Sequence, residues 1–571
     1  MLVAADGMGG IAALVACDPP AVTVDRPADL VLTGARIATM DAARSWASAL
    51  AVRDGRIATI GSDSNVRAHV GPRTRVIEGR GRTVTPGFGD AHVHPVHAGL
   101  DKLRCELRGT RGIDAYLEII AAYAAGHPDA VWIDGGGWSM DDFPGGVPTR
   151  ETLDRVVPDR PALLRSRDGH TAWVNSRALA LAGVTADTSD PEDGRIDRDE
   201  RGEPVGGLQE GAIELVDRFI PEPTADDIAE ALRIGQAELH ALGITNWQDA
   251  IVSPREELAY TQVAGRGELT GRVVGALWWE RARGVEQIEE LVERRSRTAS
   301  DRYRPTSVKL MQDGVLENFT GAVLEPYLGP DGHPTDNRGL SQIAPEALKE
   351  YVTRLDALGF QPHFHAIGER AVREALDSVE AARIANGPSD TRPHIAHIQV
   401  IHPDDIDRFR TLDVAANAQP YWACHEGQMD NLTIPFLGPD RATWQYPFRS
   451  LLDAGAVLAM GSDWSVSTAN PLLEMEVAVT RISDLSRGEK PSFLPDQRIS
   501  LIDALAGFTS GTTWVNHLER EVGSLEIGKA ADIAVLDRDL FDRSAGAIGE
   551  ASVVATFIDG APVFEDAALE T

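Results

Sequence analysis

Phe88-Gly89-Asp90-Ala91-His92-Val93-His94-Pro95 is a short apolar run that ends on two histidines two positions apart. On a strand such residues point to one side, so His92 and His94 share a face while Ala91 and Val93 point away. Four later apolar runs end in the same manner. Val308-Lys309-Leu310 presents a lysine, and His363-Phe364-His365-Ala366-Ile367-Gly368 and His394-Ile395-Ala396-His397 present histidines. Met460-Gly461-Ser462-Asp463-Trp464 presents an aspartate. In an α/β barrel the C-terminal strand ends converge on one mouth, where side chains distant in sequence meet. Stretches of helical period lie between the runs: in Glu369 to Ala382, residues Ala371, Val372, Ala375, Leu376 and Val379 recur at three- and four-residue steps. Strand-then-helix repetition predicts an α/β fold, a (β/α)8 TIM-type barrel of parallel strands.

Outward from the barrel the texture changes. Asp29 to Gly34, Ala49 to Ile57 and Arg75 to Gly79 are β-type stretches, and Asp54-Gly55 within the second stands between apolar runs and marks a hairpin. The C-terminal end repeats this with Ala531 to Leu536, Ser552 to Phe557 and Pro562 to Phe564. The two ends are expected to pair into one small discontinuous β-sandwich. This divides the chain into a flexible tail over 1–27, a first β-sandwich part over 28–87, the barrel over 88–514 and a second β-sandwich part over 515–571. His94 and Lys309 are 215 positions apart, more than the intervening barrel units need, so an insertion is expected at about 100–240. Its turn-rich piece, Asp187 to Gly207, reads as a surface hairpin.

Composition excludes some functions. The 571 residues suffice for a large core plus a second unit, and 43% hydrophobic with 25% charged residues is ordinary for a globular protein. A formal charge of -32 repels phosphate backbones and anionic bilayers, which argues against nucleic-acid and membrane partners and leaves a small-molecule substrate. Cys17, Cys105 and Cys424 are too few and scattered for a disulfide framework or thiolate site. The apolar run Ile11 to Cys17 follows Asp6 and precedes the first basic residue, Arg26, so it does not read as a secretory signal. A cytoplasmic location is the expectation.

Each candidate position also has a plainer reading. His92 and His94 suit a shared divalent metal, with Asp90 placed to orient one of the imidazoles, but His-x-His also describes a pair of core or surface histidines. Lys309 stands on one face of an apolar strand, where an ammonium must be paired or neutralised. Spacing favours pairing with a carboxylate such as Asp313. The alternative is a neutral amine that takes up carbon dioxide and becomes a carbamate bridging two cations. His363 and His365 share a face, so either can coordinate, and His394 is expected on the face opposite His397. Asp463 fits a metal ligand or a helix cap. Order, spacing and matching context make the set point to a metal-dependent hydrolase.

These segments resemble the amidohydrolase superfamily, in particular its Amidohydro_3 branch of YtcJ-like proteins, which includes N-substituted formamide deformylases. Pro86 to His94 is similar to the branch's first-strand motif, Val308 to Glu317 to its fourth, His365 to Ala371 to its fifth, His397 to Val400 to its sixth and Gly461 to Trp464 to its eighth. Ala396 stands where the sixth motif usually has an acidic residue. The resemblance implies two zinc ions held by His92, His94, His365, His397 and Asp463 and bridged by carboxylated Lys309, with Asp463 also shuttling protons. It selects His365 over His363 and allows a homodimer. Arg167 to Asn175 and Gly206 to Glu210 match the branch inside the insertion, and His170 is expected to bind a substrate carbonyl or oxyanion. Trp138, Trp464 and the pair Trp278-Trp279 are candidates to line an apolar pocket or simply to pack. The implied activity is hydrolysis of a C–N bond in an amide-like molecule, with deaminase, lactone hydrolase or an inactive binding barrel as alternatives.

Overall fold

A computed structural model describes residues 26–542 and 547–569. Of the expected tail over 1–27, residues up to 25 fall outside the described residues, as does the Ile11 to Cys17 run. Eight parallel strands form the central sheet. They are β1 (Phe88–Val93), β2 (Ile244–Val252), β3 (Arg272–Trp278), β4 (Tyr303–Met311), β5 (Gln361–Ala366), β6 (His394–His397), β7 (Ala415–Ala418) and β8 (Leu458–Met460), paired in chain order. The two end strands meet through loop residues: the Asp463 N–H donates to the His92 carbonyl and the His94 N–H to the Trp464 carbonyl, both at 2.8 Å. The sheet is thereby a TIM-type barrel. Every residue of β1, β5, β6 and β7 is buried, because helices cover one side and interior side chains fill the other.

The helix expected over Glu369 to Ala382 spans Glu369–Asn386 and buries Ala371, Val372, Ala375, Leu376, Val379 and Ala382 against the barrel. The helix Ala225–Ala241 starts at a capping box. The Thr224 hydroxyl accepts from the Asp227 N–H at 3.2 Å, and the Asp227 carboxylate accepts from the Thr224 N–H at 2.9 Å. It buries Ile228, Leu232 and Leu239, each contributing about 1.5–3 kcal/mol relative to exposure. A Cβ on Gly99 would lie 2.0 Å from the Ala231 carbonyl oxygen, and one on Gly235 would lie 2.3 Å from that of Pro95. Glycine at both positions therefore permits close packing of this helix on Pro95–Lys102, the helix that follows β1.

Strands from the two chain ends share one six-stranded sheet, in which Thr83–Pro86 pairs antiparallel with Ile533–Leu536. A four-stranded sheet packs on it, and Leu32, Val52, Ile77, Val84, Ile533 and Phe557 are buried in one cluster between them. Asp54-Gly55 forms the expected hairpin turn, with φ of 51° and 75°. Between β1 and β2 the chain builds a further six-stranded sheet running from Cys105–Glu106 to Pro204–Glu210. The turn-rich piece is its hairpin, Gly194–Arg198 against Pro204–Glu210. No helix among the described residues is long and apolar enough to cross a membrane.

Candidate active site at the barrel mouth

Four side chains from three strand ends meet at one point. His94 Nε2 lies 2.9 Å from Asp463 Oδ1, and His92 Nε2 lies 3.3 Å from the same oxygen. Lys309 Nζ is 3.3 Å from His92 Nε2. His92, His94 and Asp463 each offer a ligand atom within 4.8 Å of the others. Asp463 adopts φ of 53° as the chain leaves β8, a left-handed conformation that aspartate tolerates better than most residues. Asp90 accepts from the His92 N–H at 3.0 Å, the Ser462 N–H at 3.1 Å and the Ser462 hydroxyl at 2.6 Å. It thus ties β1 to the end of β8 and does not orient an imidazole, contrary to the expectation from spacing.

The remaining histidines form two tiers. In the upper tier the His365 and His397 rings lie 4.4 Å apart, and His397 Nδ1 is 4.0 Å from Asp463 Oδ2. His365 Nδ1 is 3.2 Å from Asp313, which leaves its Nε2 free of that contact. Below, His363 Nε2 is 2.8 Å from His92 Nδ1, and the His363 and His394 rings are 4.0 Å apart. His363 therefore steadies His92 from beneath. The expectation that His394 faces away from His397 does not hold. His397 has φ of 78°, and this break at the strand end turns both imidazoles inward. Asp313 does not pair with Lys309. Its carboxylate accepts from the N–H groups of Ile367 at 3.0 Å, Gly368 at 2.8 Å and Ala322 at 2.9 Å.

The insertion adds a third group. His170 Nδ1 donates to Glu210 at 2.9 Å, and Glu210 also accepts from the Thr320 hydroxyl at 2.8 Å and the Asn318 amide at 3.2 Å. The His170 ring is 5.4 Å from that of His365, so the insertion reaches the barrel centre. A cavity of about 450 Å³ opens beside it, lined by His94, Arg165, Asp168, His170, Trp278 and Met311 among others. Of the four tryptophans considered, only Trp278 borders this cavity; Trp138, Trp279 and Trp464 are buried in packing clusters. The supporting roles of Asp313 and His363 carry little sequence signal. His363 shares a face with His365, whereas Asp313 depends on loops that only the fold brings near.

The Amidohydro_3 profile, described as Amidohydrolase family, matches residues 75–564. The chain belongs to that amidohydrolase family. This amidohydrolase is 31% identical over 554 residues to Protein LONG AFTER FAR-RED 3 of Arabidopsis thaliana, covering 96% of this chain and 93% of that one. It is 29% identical over 548 residues to N-substituted formamide deformylase of Arthrobacter pascens, covering 94% and 98%. Among solved structures, an uncharacterized metal-dependent hydrolase from Pyrococcus furiosus superposes with a TM-score of 0.67 at 27% identity, covering 89% of this chain and 99% of that one.

Electrostatics in this amidohydrolase favour neutral donors around one anion. Burial, reinforced by the Lys309 charge, pushes His92 well below the ordinary histidine range. Burial also holds down His94, His365 and His397. Burial brings the Lys309 amine down to about 7 against the pull of Asp463, so an unprotonated amine is accessible near neutrality. Nδ1 of His94 and of His397 are buried without hydrogen-bond partners among the described residues. Neutral imidazoles, orphaned ring nitrogens and one carboxylate fit a divalent cation. His170 behaves oppositely: burial resists its charging, yet the Glu210 carboxylate lifts it to about 9. Burial likewise opposes ionisation of Glu210, but His170 and the hydrogen bonds hold it at about 2.

Proposed function

We propose that the protein hydrolyses a C–N bond of an amide-like small molecule, such as an N-substituted formamide or another N-acyl amine. The observation that carries this reading is the convergence of His92 and His94 Nε2 on one oxygen of Asp463 beside a buried lysine amine. The nearby Ser462 hydroxyl is committed to Asp90, so the reading invokes no serine nucleophile. His92, His94, His365, His397, Asp463 and a carboxylated Lys309 would hold two divalent ions, and imidazole with oxygen donors suits zinc. When bound, such ions would polarise the substrate carbonyl and lower the pKa of water from about 15.7 toward 7.

This chain's residues then have distinct tasks. Asp463 takes a proton from the attacking water and returns it to the leaving nitrogen. A C–O bond forms, the C–N bond breaks, and one amide and one water become a carboxylic acid and an amine. His170, kept charged by Glu210, donates to the carbonyl oxygen as negative charge builds there. The formamide deformylase relative supports a C–N bond as the target.

The test is a panel of N-formyl amines, N-acyl amino acids, cyclic imides and lactones offered to zinc-loaded wild type and to Asp463→Asn. An N-acyl amine should yield acid and amine, and the variant should melt like wild type yet turn over about 10²–10⁴-fold slower. Ammonia release from a ring would favour a deaminase, and lactone opening without amide turnover a lactone hydrolase. No turnover, with dialysed protein retaining little metal, would make the barrel a binding module.

A further inference from the structure

A second, smaller cavity of about 50 Å³ adjoins the candidate centre above the barrel mouth. Trp422 forms part of its wall and stacks on His397, with ring centroids 5.2 Å apart and planes 8° from parallel. Arg167, Asp168 and Val466 border both cavities, so the small one continues the large one. A single water needs about 10–15 Å³, so the space suits a chain end of roughly three or four heavy atoms.

Its charges are unbalanced. Arg167 donates to both oxygens of Glu426, at 2.9 and 3.0 Å, and to Gln428, so its charge offsets that of Glu426. Two carboxylates remain. Glu317 accepts from the Thr433 hydroxyl at 2.9 Å, and Asp168 accepts from the Ser166 hydroxyl and the His170 N–H. Neither has a cationic side chain in ion-pair contact among the described residues. Burial raises the Glu317 carboxyl, and the Asp168 and Glu426 charges raise it further. Two further polar groups border the cavity without a side-chain partner. Tyr446 is 1% exposed and lines the cavity, yet its hydroxyl has no hydrogen-bond partner among the described residues. Gln399, also buried there, donates from Nε2 to Gln445 while its Oε1 is unpartnered among the described residues.

Carboxylates outside any ion-pair contact, an unpartnered hydroxyl and carbonyl, and an indole face are what an ammonium group requires. We propose that this cavity is the subsite for an ammonium group on the amine half of the substrate, which makes the substrates singly N-acylated diamines. The inference rests on the C–N hydrolase reading. In the reaction one N-acyl diamine, charged at its free ammonium end, and one water give a carboxylate and the doubly protonated diamine. A C–O bond forms, the amide C–N bond breaks, and the released nitrogen is protonated.

The test has a binding arm and a turnover arm, both on the zinc-loaded full chain. In calorimetric titration 1,3-diaminopropane should bind at least about 10-fold more tightly than propylamine. Glu317→Gln and Tyr446→Phe should each reduce that preference, the former abolishing it. N-formyl-1,3-diaminopropane should exceed N-formylpropylamine in kcat/KM by a similar factor. Equal affinity for the two amines overturns the proposal. So does a preference unchanged in both variants, and Tyr446→Phe, which removes one hydroxyl, keeps the test valid if Glu317→Gln melts early. Turnover of both amides without discrimination sinks the subsite and leaves the hydrolase. Preferential diamine binding without turnover of any amide sinks the hydrolase and leaves the subsite.

Discussion

Replacing Asp313 with asparagine probes how the site is built without touching a candidate ligand. The wild-type carboxylate receives three backbone N–H groups and lies 3.2 Å from His365 Nδ1, at a position with 0% exposure. A carboxylate offers about four lone-pair sites, whereas an asparagine carbonyl offers two and its amide nitrogen only donates. At least two buried donors would be stranded, at about 1–3 kcal/mol each, so the substitution should cost about 2–6 kcal/mol. Unfolding entropy of about 2.1 cal/mol/K per residue gives about 1.2 kcal/mol/K for this chain, so Tm should fall by about 2–5 °C. Burial pushes the wild-type carboxyl up to about 7, so the comparison belongs at pH 8, where it is ionised. Freed from Asp313, the His365 ring should also turn more easily and the retained zinc should drop. Calorimetry and metal analysis of the two proteins decide the matter. A Tm within about 1 °C of wild type with full metal content would refute the reasoning.

Other expectations follow from the same geometry. Lys309→Ala should lower metal content and slow turnover by at least about 10²-fold, since the ligands act as a unit. A carbamate signal in the carbon-13 spectrum should also disappear, and wild-type metal and rate in the variant would end the carbamate idea. The His170–Glu210 pair sets a pH window. His170 is raised from 6.5 to about 9, so its contribution to stability is complete below about 6.5 and is lost as pH rises through about 9. Glu210 is lowered from 4.5 to about 2, so its contribution is complete above about 4.5 and is lost as pH falls through about 2. Activity should therefore decline on an alkaline limb near pH 9, and Glu210→Gln should move that limb to lower pH. A limb that stays in place would show that His170 does not act as a cation.

The barrel was legible because its signals are local and repeated. The helix after β5 keeps strict three- and four-residue spacing, and Asp54-Gly55 allows little besides a tight hairpin. The convergence of His92, His94 and Asp463 was legible because parallel strands deliver their ends to one mouth. What escaped lies where the backbone departs from regular geometry or where contacts are long-range. Alternation placed His394 opposite His397, but φ of 78° at His397 interrupts the strand. Lys309 and Asp313 are four apart, a spacing that suggests an ion pair. In the fold Asp313 turns to amides at Ala322, Ile367 and Gly368, which no short window contains. Carboxylates often hold ligand histidines, yet Asp90 fastens the backbone across the strand junction instead.

That junction between β1 and β8 has a consequence for biosynthesis. His94 and Asp463 are 369 positions apart in sequence. At about 5–20 residues per second, roughly 20–75 s elapse on the ribosome between the two. A nascent chain thus carries its paired imidazoles long before the aspartate that faces them. Chains cut short ahead of β8 would lack both Asp463 and the backbone contacts that close the barrel against β1, leaving a cleft with one wall missing.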